Sequence, residues 1–360
     1  MGGLLSIAMQ ESSGNSLCAP QIDPTSIFEH FRGNYGSELL SAAVAHFGVF
    51  RILNEASLDL DGLREEIGLE PRAATVVITA LRAMGLLAVD SDDRLYLTAQ
   101  AKEHLVAGGE FFVGDYIGLA ATAPGVLNMV ERLRTNEPAN IDGAGAAFIY
   151  RDGIQSAMEQ EDLARHFTLA LSGRAKNVAP VLAETVSMEG VNHLLDIGGG
   201  TGIYSVAFLK RHAHLRATVV DLPHVLTVAR EFAVKYGVED RIQFVDADMF
   251  SYHPTEPAEL VLLSNILHDW DVDTCKSLVT HYSKQLPTGG RLVIHDVFLN
   301  DELDGPLPIA LYSAALFTLT EGRAYSALEY RGWMAAAGLE VSGPIETLIH
   351  CGALEGLKRD

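Results

Sequence analysis

The N-terminal part of the chain repeats apolar side chains at the spacing of amphipathic helices. One stripe has the helical period and consists of Leu39, Leu40, Ala43, Val44 and Phe47. The segments 58–68 and 71–84 predict two further helices that a glycine closes. Two short apolar runs at 86–89 and 94–97, with polar residues between them, predict a hairpin. Helix, helix and hairpin in this order are typical of a winged helix.

The same pattern divides the chain before its centre. Residues 1–24 are rich in Ser, Gly and Pro with little periodicity, which predicts a flexible tail. The winged-helix-like region then spans 25–110. Residues 111–190 have a helical pattern, interrupted by a Gly- and Pro-containing loop at 136–145. We expect this third segment to be a helical linker that caps the substrate.

From Val191 to the end at residue 360, short apolar runs alternate with helical stretches. The runs are 193–197, 217–221, 242–245, 260–264 and 291–296. Such alternation predicts βαβ units and a mostly parallel sheet. The expected fold class is therefore α/β, with a Rossmann-like domain at 191–360 behind the helical N-terminal domain. Ligands of these sheets bind beyond the carboxyl ends of the strands, so we expect the chemistry just after each run.

The charge of the chain narrows the expected partners. The formal net charge is −21, and an acidic surface repels nucleic acid and anionic lipid. The second helix of the winged-helix pattern carries only Arg72 and Arg82 as cations, which favours an interaction role over DNA binding. No apolar run has the roughly 18 residues of a membrane span. Three cysteines in no metal or redox spacing indicate a reducing cytoplasm.

A glycine-rich loop follows the first predicted strand of the sheet. It reads Asp196-Ile197-Gly198-Gly199-Gly200-Thr201-Gly202, and a helix is expected from about Tyr204. Glycines in a tight turn let a ligand approach the main chain. A dinucleotide-binding loop would need glycine where Ile203 stands, and the Lys-Ser/Thr ending of a P-loop is absent. A tight turn without a ligand has the same signature, so the loop alone leaves the ligand open.

Acidic residues end the next two predicted strands. Asp221, which Leu222 follows, lies about 20 residues after the loop and can accept both hydroxyls of a ribose. Asp248, Met249 and Phe250 follow the third strand. A carboxylate beside a thioether suits an adenine, because one accepts from the amino group and the other packs on the ring. Three such elements at successive strand ends predict an adenosine site.

Four segments together resemble the family of small-molecule O-methyltransferases that includes caffeate and acetylserotonin methyltransferases, in its bacterial branch. They are 196–202, 221–223, 248–250 and the motif Leu267-His268-Asp269-Trp270. The resemblance covers nearly the whole chain. It implies a Rossmann-like domain that binds S-adenosylmethionine (SAM), a homodimer formed through the N-terminal domain, and an active site between the two domains.

The resemblance also implies which residues hold the cofactor. The expected set is Arg174, Asp196, Gly198, Gly200, Asp221, Leu222, Asp248, Met249, Phe250 and Ser264. Ser264 stands where the family has a lysine, so one charged contact is lost there. Arg174 is either a partner of the methionine carboxylate or a surface cation, and both interpretations stay open.

His268 is the expected general base, because the family uses the histidine of this motif in that role. An imidazole with an ordinary pKa of about 6.5 can remove a proton from a phenol near neutral pH. Asp269 either caps the next helix or supports catalysis. One glutamate of the plant pattern is replaced by His295, or by Asp296 with a shift of one residue, and the other falls on Ala324. The expected catalytic set is His268, Asp269 and His295.

The four motifs do not determine the methyl acceptor or the type of methyl transfer. We expect the substrate pocket to be lined by Phe112, Tyr116, Phe167, Tyr312 and Leu316. Each of these side chains could equally belong to the core. No metal is expected, because the second histidine of an iron-holding C-methylating branch falls near Thr320. C- or N-methylation, a SAM-binding protein without methyl transfer, and a winged-helix regulator are the alternative functions.

Overall fold

The computed structural model describes residues 16–140, 143–149 and 156–359. Most of the predicted tail at 1–24 and part of the loop at 136–145 lie outside the described residues. Within them, no single helix is long and apolar enough to cross a membrane; only the bent pair Thr25–Ala45 and Val49–Glu55 reaches that length and composition together.

The N-terminal region is helical, with one hairpin. Its helices are α1 (Thr25–Arg32), α2 (Asn34–Ala45), α3 (Val49–Glu55), α4 (Leu60–Ile67), α5 (Pro71–Ala83), α6 (Ala99–His104), α7 (Gly114–Gly118) and α8 (Pro124–Thr135). Strands β1 (Leu87–Val89) and β2 (Leu95–Leu97) pair antiparallel after α5. The predicted helices and hairpin are confirmed. Asp59 caps α4 by accepting from the Gly62 N–H, and Gly68 ends it with φ of 67°.

The second region alternates helices and strands. In chain order it contains α9 (Glu161–Thr185), β3 (His193–Ile197), α10 (Ile203–Arg211), β4 (Arg216–Asp221), α11 (Pro223–Tyr236), β5 (Ile242–Asp246), β6 (Leu260–Ser264), α12 (Val272–Gln285), β7 (Arg291–Leu299), α13 (Leu307–Leu319), β8 (Tyr325–Ser326), α14 (Ala327–Ala336), β9 (Leu339–Glu346) and β10 (Cys351–Lys358). Short 3-10 turns lie at Ala157–Glu159, Glu239–Arg241 and Leu267–Asp269. The five predicted strands are confirmed as β3 to β7.

The main sheet has the order β5-β4-β3-β6-β7-β10-β9. Its first five strands run parallel, whereas β10 and β9 are antiparallel additions that the apolar runs did not predict. Strand β9 is an exposed edge, so it lacks the apolar run of a buried strand. The chain leaves β3 in one direction to β4 and returns to β6 on its other side. This switch point puts the ligand crevice at the carboxyl ends of β3, β4 and β6.

The two regions share side chains across their boundary. Leu311 and Phe317 of α13 belong to the N-terminal core, together with residues of α2, α5 and α8. Helix α9, in contrast, packs on α10 and α11. The segment 111–190, predicted as one linker, is therefore divided between two cores. Helix α13 places its apolar residues against the N-terminal helices while it borders the crevice of the sheet.

Candidate active site

The glycine loop after β3 forms a cradle that only glycine fits. Gly198, Gly200 and Gly202 have φ of 62°, 60° and 67°. A Cβ at Gly198 would lie 2.5 Å from Cδ1 of Ile266, and one at Gly199 would lie 2.8 Å from Cγ of Asp196. A Cβ at Gly200 would meet no described atom within 4 Å. The loop is therefore closed on one side and open on the other, as a ligand-binding turn requires.

Asp221 is bound directly to this loop. One carboxylate oxygen accepts from the Gly200 N–H at 2.8 Å, and the other accepts from the Leu222 N–H at 2.7 Å. Burial raises the pKa of Asp221 to about 6, although both backbone donors oppose that rise. The strand-end acid and the glycine loop are thus one unit, as the sequence predicted.

Asp196, at the start of the loop, is fully buried. The Ser205 hydroxyl donates to Oδ2 at 2.7 Å, while Oδ1 has no hydrogen-bond partner among the described residues. Burial raises the pKa of Asp196 to about 7. A buried acceptor without a donor is unfavourable unless a ligand or water satisfies it.

The third strand end closes the crevice from the side of β5. Oδ1 of Asp248 accepts from the Phe250 N–H at 3.0 Å, which holds the turn after β5. The Tyr282 hydroxyl donates to the Met249 carbonyl at 2.5 Å, and Phe250 packs edge-on against Trp270. Sδ of Met249 lies 3.9 Å from the position of a Cβ on Gly198. The three predicted cofactor elements therefore lie close together at one edge of the sheet.

Phe167 and Leu222 lie together on the cofactor side of the crevice. Both pack on a small cluster of Met158, Ala164 and Val225, and the ring of Phe148 meets that of Phe167 at 5.6 Å. Phe167 was predicted in the substrate pocket. Phe167 packs on the same cluster as Leu222, which follows the end of β4, and its expected role in the substrate pocket stays a prediction.

His268 lies in the 3-10 turn after β6 and is buried. Its Nδ1 is 2.6 Å from Oδ1 of Asp296, and its Nε2 is 3.6 Å from Oδ1 of Asp269. The Nδ1–H donates to Asp296, which leaves Nε2 as the basic nitrogen. Burial lowers the pKa of His268, but the carboxylates of Asp296 and Asp269 outweigh it, so the net pKa is raised.

Asp296 is the buried acid that orients His268. Besides the imidazole, it accepts from the Val297 N–H at 2.8 Å and from the Tyr330 hydroxyl at 3.1 Å. Burial raises the pKa of Asp296, and His268 with the other donors reverses this, so the net pKa is lowered. The carboxylate is therefore held in its charged form beside the imidazole.

Of the two residues expected at the position of the first glutamate, Asp296 and not His295 contacts His268. The ring nitrogens of His295 bond to Ser264 Oγ at 2.8 Å and to Thr347 Oγ1 at 3.2 Å. Successive residues of a strand point to opposite faces, and in β7 it is Asp296 that faces His268. Burial lowers the pKa of His295 to about 3, so this ring is neutral. Ala324, at the other expected acid position, is buried and supplies no carboxylate.

Asp269 does not cap the following helix. Helix α12 begins at Val272, and Asp271 caps it by accepting from the Thr274 N–H at 2.8 Å. Asp269 ends the 3-10 turn instead, with its carboxylate toward His268. Burial raises the pKa of Asp269 to about 7, and His268 opposes the rise. Of the two predicted roles, support of the histidine fits this position.

Arg174 is tied into the polar network behind the crevice, so it is not a surface cation. Its Nη1 donates to Oδ1 of Asn265 at 2.8 Å, and its Nη2 to Sγ of Cys351 at 2.7 Å. Asn265 follows Ser264 in a left-handed conformation with φ of 56°, and its amide donates to Ser264 Oγ at 3.0 Å. Ser264 is thereby occupied within the protein, and Arg174 brings the positive charge that Ser264 lacks.

The remaining predicted pocket residues separate into two groups. Tyr312 stands beside His268, with ring centres 6.0 Å apart, and Leu316 on the same helix is buried. Phe112 packs over Gly114 in the N-terminal region, and Tyr116 on α7 is 78 % exposed. The single chain therefore places Tyr116 on the surface and not in the pocket, because the apolar face of α7 toward α2 does not include it.

Arg72 is a site residue that the sequence did not identify. It donates to the carbonyls of Thr320 and Gly322 at 2.7 and 3.1 Å. A Cβ at Gly322 would overlap the carbonyl of His268, so this segment backs the catalytic turn. Arg82 likewise donates to the Glu302 carbonyl. Both cations of α5, the second helix of the winged-helix pattern, thus face the other region. The sequence showed that this helix carries two cations, but it did not show which way their side chains point.

Within the described ranges, no group of three or more His, Cys, Asp or Glu side chains is arranged to hold a metal ion.

Comparison with known proteins agrees with this geometry. A family model for the O-methyltransferase domain matches residues 142–340, more than half of the chain. The chain belongs to the O-methyltransferase family. Members of this family are SAM-dependent methyltransferases, so the predicted family, fold class and enzyme class are confirmed, and the regulator interpretation falls away.

Three relatives illustrate the similarity. The crystal structure of an O-methyltransferase family 2 protein from Planctomyces limnophilus in complex with apigenin is 45% identical, with a TM-score of 0.86 over 95% of this chain and 98% of that one. A 3-hydroxy-5-methyl-1-naphthoate 3-O-methyltransferase from Streptomyces sahachiroi is 32% identical over 92% of this chain and 93% of its own. The tetracenomycin polyketide synthesis 8-O-methyl transferase of Streptomyces glaucescens is 29% identical over 89% and 94%.

Proposed function

We propose that this O-methyltransferase moves the methyl group of SAM to a phenolic hydroxyl of a small aromatic acceptor, with His268 as general base. The observation that carries the proposal is the 2.6 Å contact between Nδ1 of His268 and Asp296 at the carboxyl end of the sheet. The relatives add support, since one is described as acting on a hydroxynaphthoate and another was solved with a flavone.

The cofactor would be held by the three strand ends. Gly198 and Gly200 offer the open face of the loop, Asp221 faces the ribose, and the Asp248-Met249 pair faces the adenine. SAM supplies an electrophilic methyl group on a sulfonium. Arg174 and Asp196 lie on the side of the expected methionine group, where Oδ1 of Asp196 still needs a donor. These residues are the proposed cofactor set.

The chain's own contribution to the reaction is a proton transfer. The phenolic oxygen would bond to the methyl carbon while the bond from that carbon to the sulfonium sulfur breaks and its electron pair stays on sulfur, which leaves S-adenosylhomocysteine. The O–H bond of the phenol would break in the same step, and its proton would move to Nε2 of His268. Asp296 accepts from Nδ1–H throughout and balances the positive charge of the imidazolium in a buried site. General-base catalysis of this kind contributes roughly 10²–10⁴ in rate, and positioning of the acceptor supplies much of the remainder.

We also propose a homodimer formed through the N-terminal region. Large apolar side chains are exposed there in the single chain, namely Ile22, Ile27, Phe31, Tyr116 and Leu119. Apolar exposure of this kind marks interaction surfaces. Light scattering after size exclusion should give twice the chain mass for the wild type, and Phe31→Asp should shift the measured mass toward that of a single chain.

The three cysteines are free, which suits the predicted cytoplasm.

The proposed reaction is tested with methyl-labelled SAM and a panel of phenols. Wild-type protein should label the oxygen of at least one phenol, identified by mass spectrometry, and His268→Ala should lower that rate by roughly 10²–10⁴. His281→Ala is the matched control, because His281 lies on α12 and bonds to the Tyr252 carbonyl. Undiminished transfer by His268→Ala, or label on carbon or nitrogen alone, would contradict the proposal.

A further inference from the structure

Arg32 is a buried cation near the active site, and no acid among the described residues pairs with it. It is the last residue of α1, and 5% of its surface is exposed. Its guanidinium carbon lies 3.6 Å from the ring centre of Tyr312 and 5.6 Å from that of Phe28. Among the described residues, it makes no hydrogen bond or ion pair.

Such a group is unfavourable in the protein alone. A guanidinium keeps its charge under all ordinary conditions, and a charge removed from water needs a partner. Burial lowers the pKa of Arg32, and the nearby Arg174 lowers it further, while Tyr312 acts in the opposite direction. Stacking on Tyr312 offsets a part of the cost, but an aromatic ring gives the N–H donors of the guanidinium no hydrogen-bond acceptor.

Arg32 and His268 lie near the same aromatic ring. Tyr312, on which Arg32 stacks, stands edge-on to His268, with 6.0 Å between the ring centres. Since Arg32 is 3.6 Å from the Tyr312 ring centre, its guanidinium lies at most about 10 Å from the imidazole. An aromatic molecule of one or two rings spans this separation. Arg174, the other cation near Tyr312, donates through Nη1 to Asn265 and through Nη2 to Cys351, and only its Nε has no partner among the described residues.

We propose that Arg32 binds a carboxylate of the acceptor, so that the substrates of this enzyme are hydroxyaryl carboxylic acids. The planar fork of a guanidinium matches a carboxylate with two parallel hydrogen bonds. The acid group would sit at Arg32 while the hydroxyl meets His268 at the other end. The inference rests on the proposed function, because it assumes that the acceptor lies against His268.

The kinetic test compares each acid with its neutral ester. The acceptors are 3-hydroxybenzoic acid and 6-hydroxy-1-naphthoic acid, each beside its methyl ester. Wild-type protein should prefer the acids. Arg32→Met should raise KM for the acids by about 10- to 100-fold, the range of one charged hydrogen bond or a pair, and leave the esters unchanged. Arg32→Lys should recover only part of the effect, because an ammonium lacks the fork.

Two controls separate binding from folding. Arg51→Met removes an exposed arginine of α3 whose ion pair with Glu55 lies at the surface, so acids and esters should both be unaffected. The melting temperature of cofactor-free Arg32→Met should equal or exceed that of the wild type, because an unpaired buried charge is removed. A clear fall in melting temperature would instead assign Arg32 a structural role and overturn the inference.

Calorimetry distinguishes a failure of this inference from a failure of the proposed reaction. The acids and esters are titrated into protein saturated with S-adenosylhomocysteine. Binding of an acid that Arg32→Met weakens supports the inference even if no methyl transfer occurs, in which case the proposed reaction fails alone. Equal binding of acid and ester, or a raised KM for SAM in Arg32→Met, overturns the inference, the latter because Arg32 would then serve the cofactor.

Discussion

The pair of His268 and Asp296 gives the sharpest test of the proposed mechanism through Asp296→Asn. The substitution keeps the size of the side chain and removes its charge. Both side chains are buried, with exposures of 6% and 1%, and their nitrogen and oxygen are 2.6 Å apart. A hydrogen bond to a charged group is worth about 1.5–3 kcal/mol. If Asp296→Asn removes this stabilisation of the imidazolium, kcat falls by about 10- to 150-fold.

The pH dependence adds a second signature with a definite sign. Asp296 is one of the carboxylates that raise the pKa of His268, so its loss lowers that pKa. The base must be neutral to act, and kcat/KM therefore rises with pH through the pKa of His268. In Asp296→Asn the acid limb of this profile should move to lower pH, while the plateau falls. Initial rates with labelled SAM and a phenol from pH 5 to 9 measure both effects.

Two further variants make the reasoning refutable. Asp271→Asn removes a charge three residues from His268 but keeps a good helix cap, so kcat should be unchanged. In a His268→Ala background, Asp296→Asn should have almost no further effect, because the pair acts as a unit. Wild-type kcat with an unshifted profile, or full additivity of the two losses, would show that Asp296 does not act through His268.

Three other predictions follow from the cofactor crevice and the acid pair. Gly198→Ala should weaken SAM binding at least tenfold in calorimetry, because its Cβ would overlap Ile266. Gly68→Ala is the control, because Gly68 has a similar φ of 67° but no atom within 4 Å of its Cβ position, so only the melting temperature should fall. Wild-type affinity for SAM should rise with pH through about 6, the raised pKa of Asp221, because ribose hydroxyls donate better to the charged carboxylate. The affinity of Asp221→Asn should not change over this pH range, and a pH dependence equal to that of the wild type would contradict the prediction. Tyr330→Phe should lower kcat about 3- to 10-fold at constant KM for SAM, since Asp296 loses one donor; an effect on KM alone would contradict this.

Much of the sheet and the cofactor crevice was predictable from the sequence. Strands β3 to β6 are short apolar runs between helical stretches, and parallel strands of this kind bring their carboxyl ends to one edge. The glycine loop, Asp221 and the Asp248-Met249 pair therefore had to lie near one another. Their chemistry is local to each strand end, so sequence motifs carry it well.

The choice between His295 and Asp296 was not predictable in the same way. Strand β7 is buried on both faces, so no alternation of apolar and polar residues shows which side chain faces His268. The edge strand β9 is exposed and β10 contains Gly352 and Gly356, which weaken the strand pattern. Both failures arise because pairing within a sheet, and not local preference, decides the outcome.

The sequence by itself determined the family, the parallel sheet, the cofactor loop and the histidine, because each depends on a local pattern of apolar spacing or on a motif of few residues. Only the tertiary structure decided that Asp296 contacts His268, that Tyr116 faces outward, and that Arg32 comes to the same ring as His268. Arg32 and His268 are far apart in the chain, and α1 packs against α13, which in turn packs against β7. Contacts between distant segments carry no signature in either segment alone, so only the folded chain shows them.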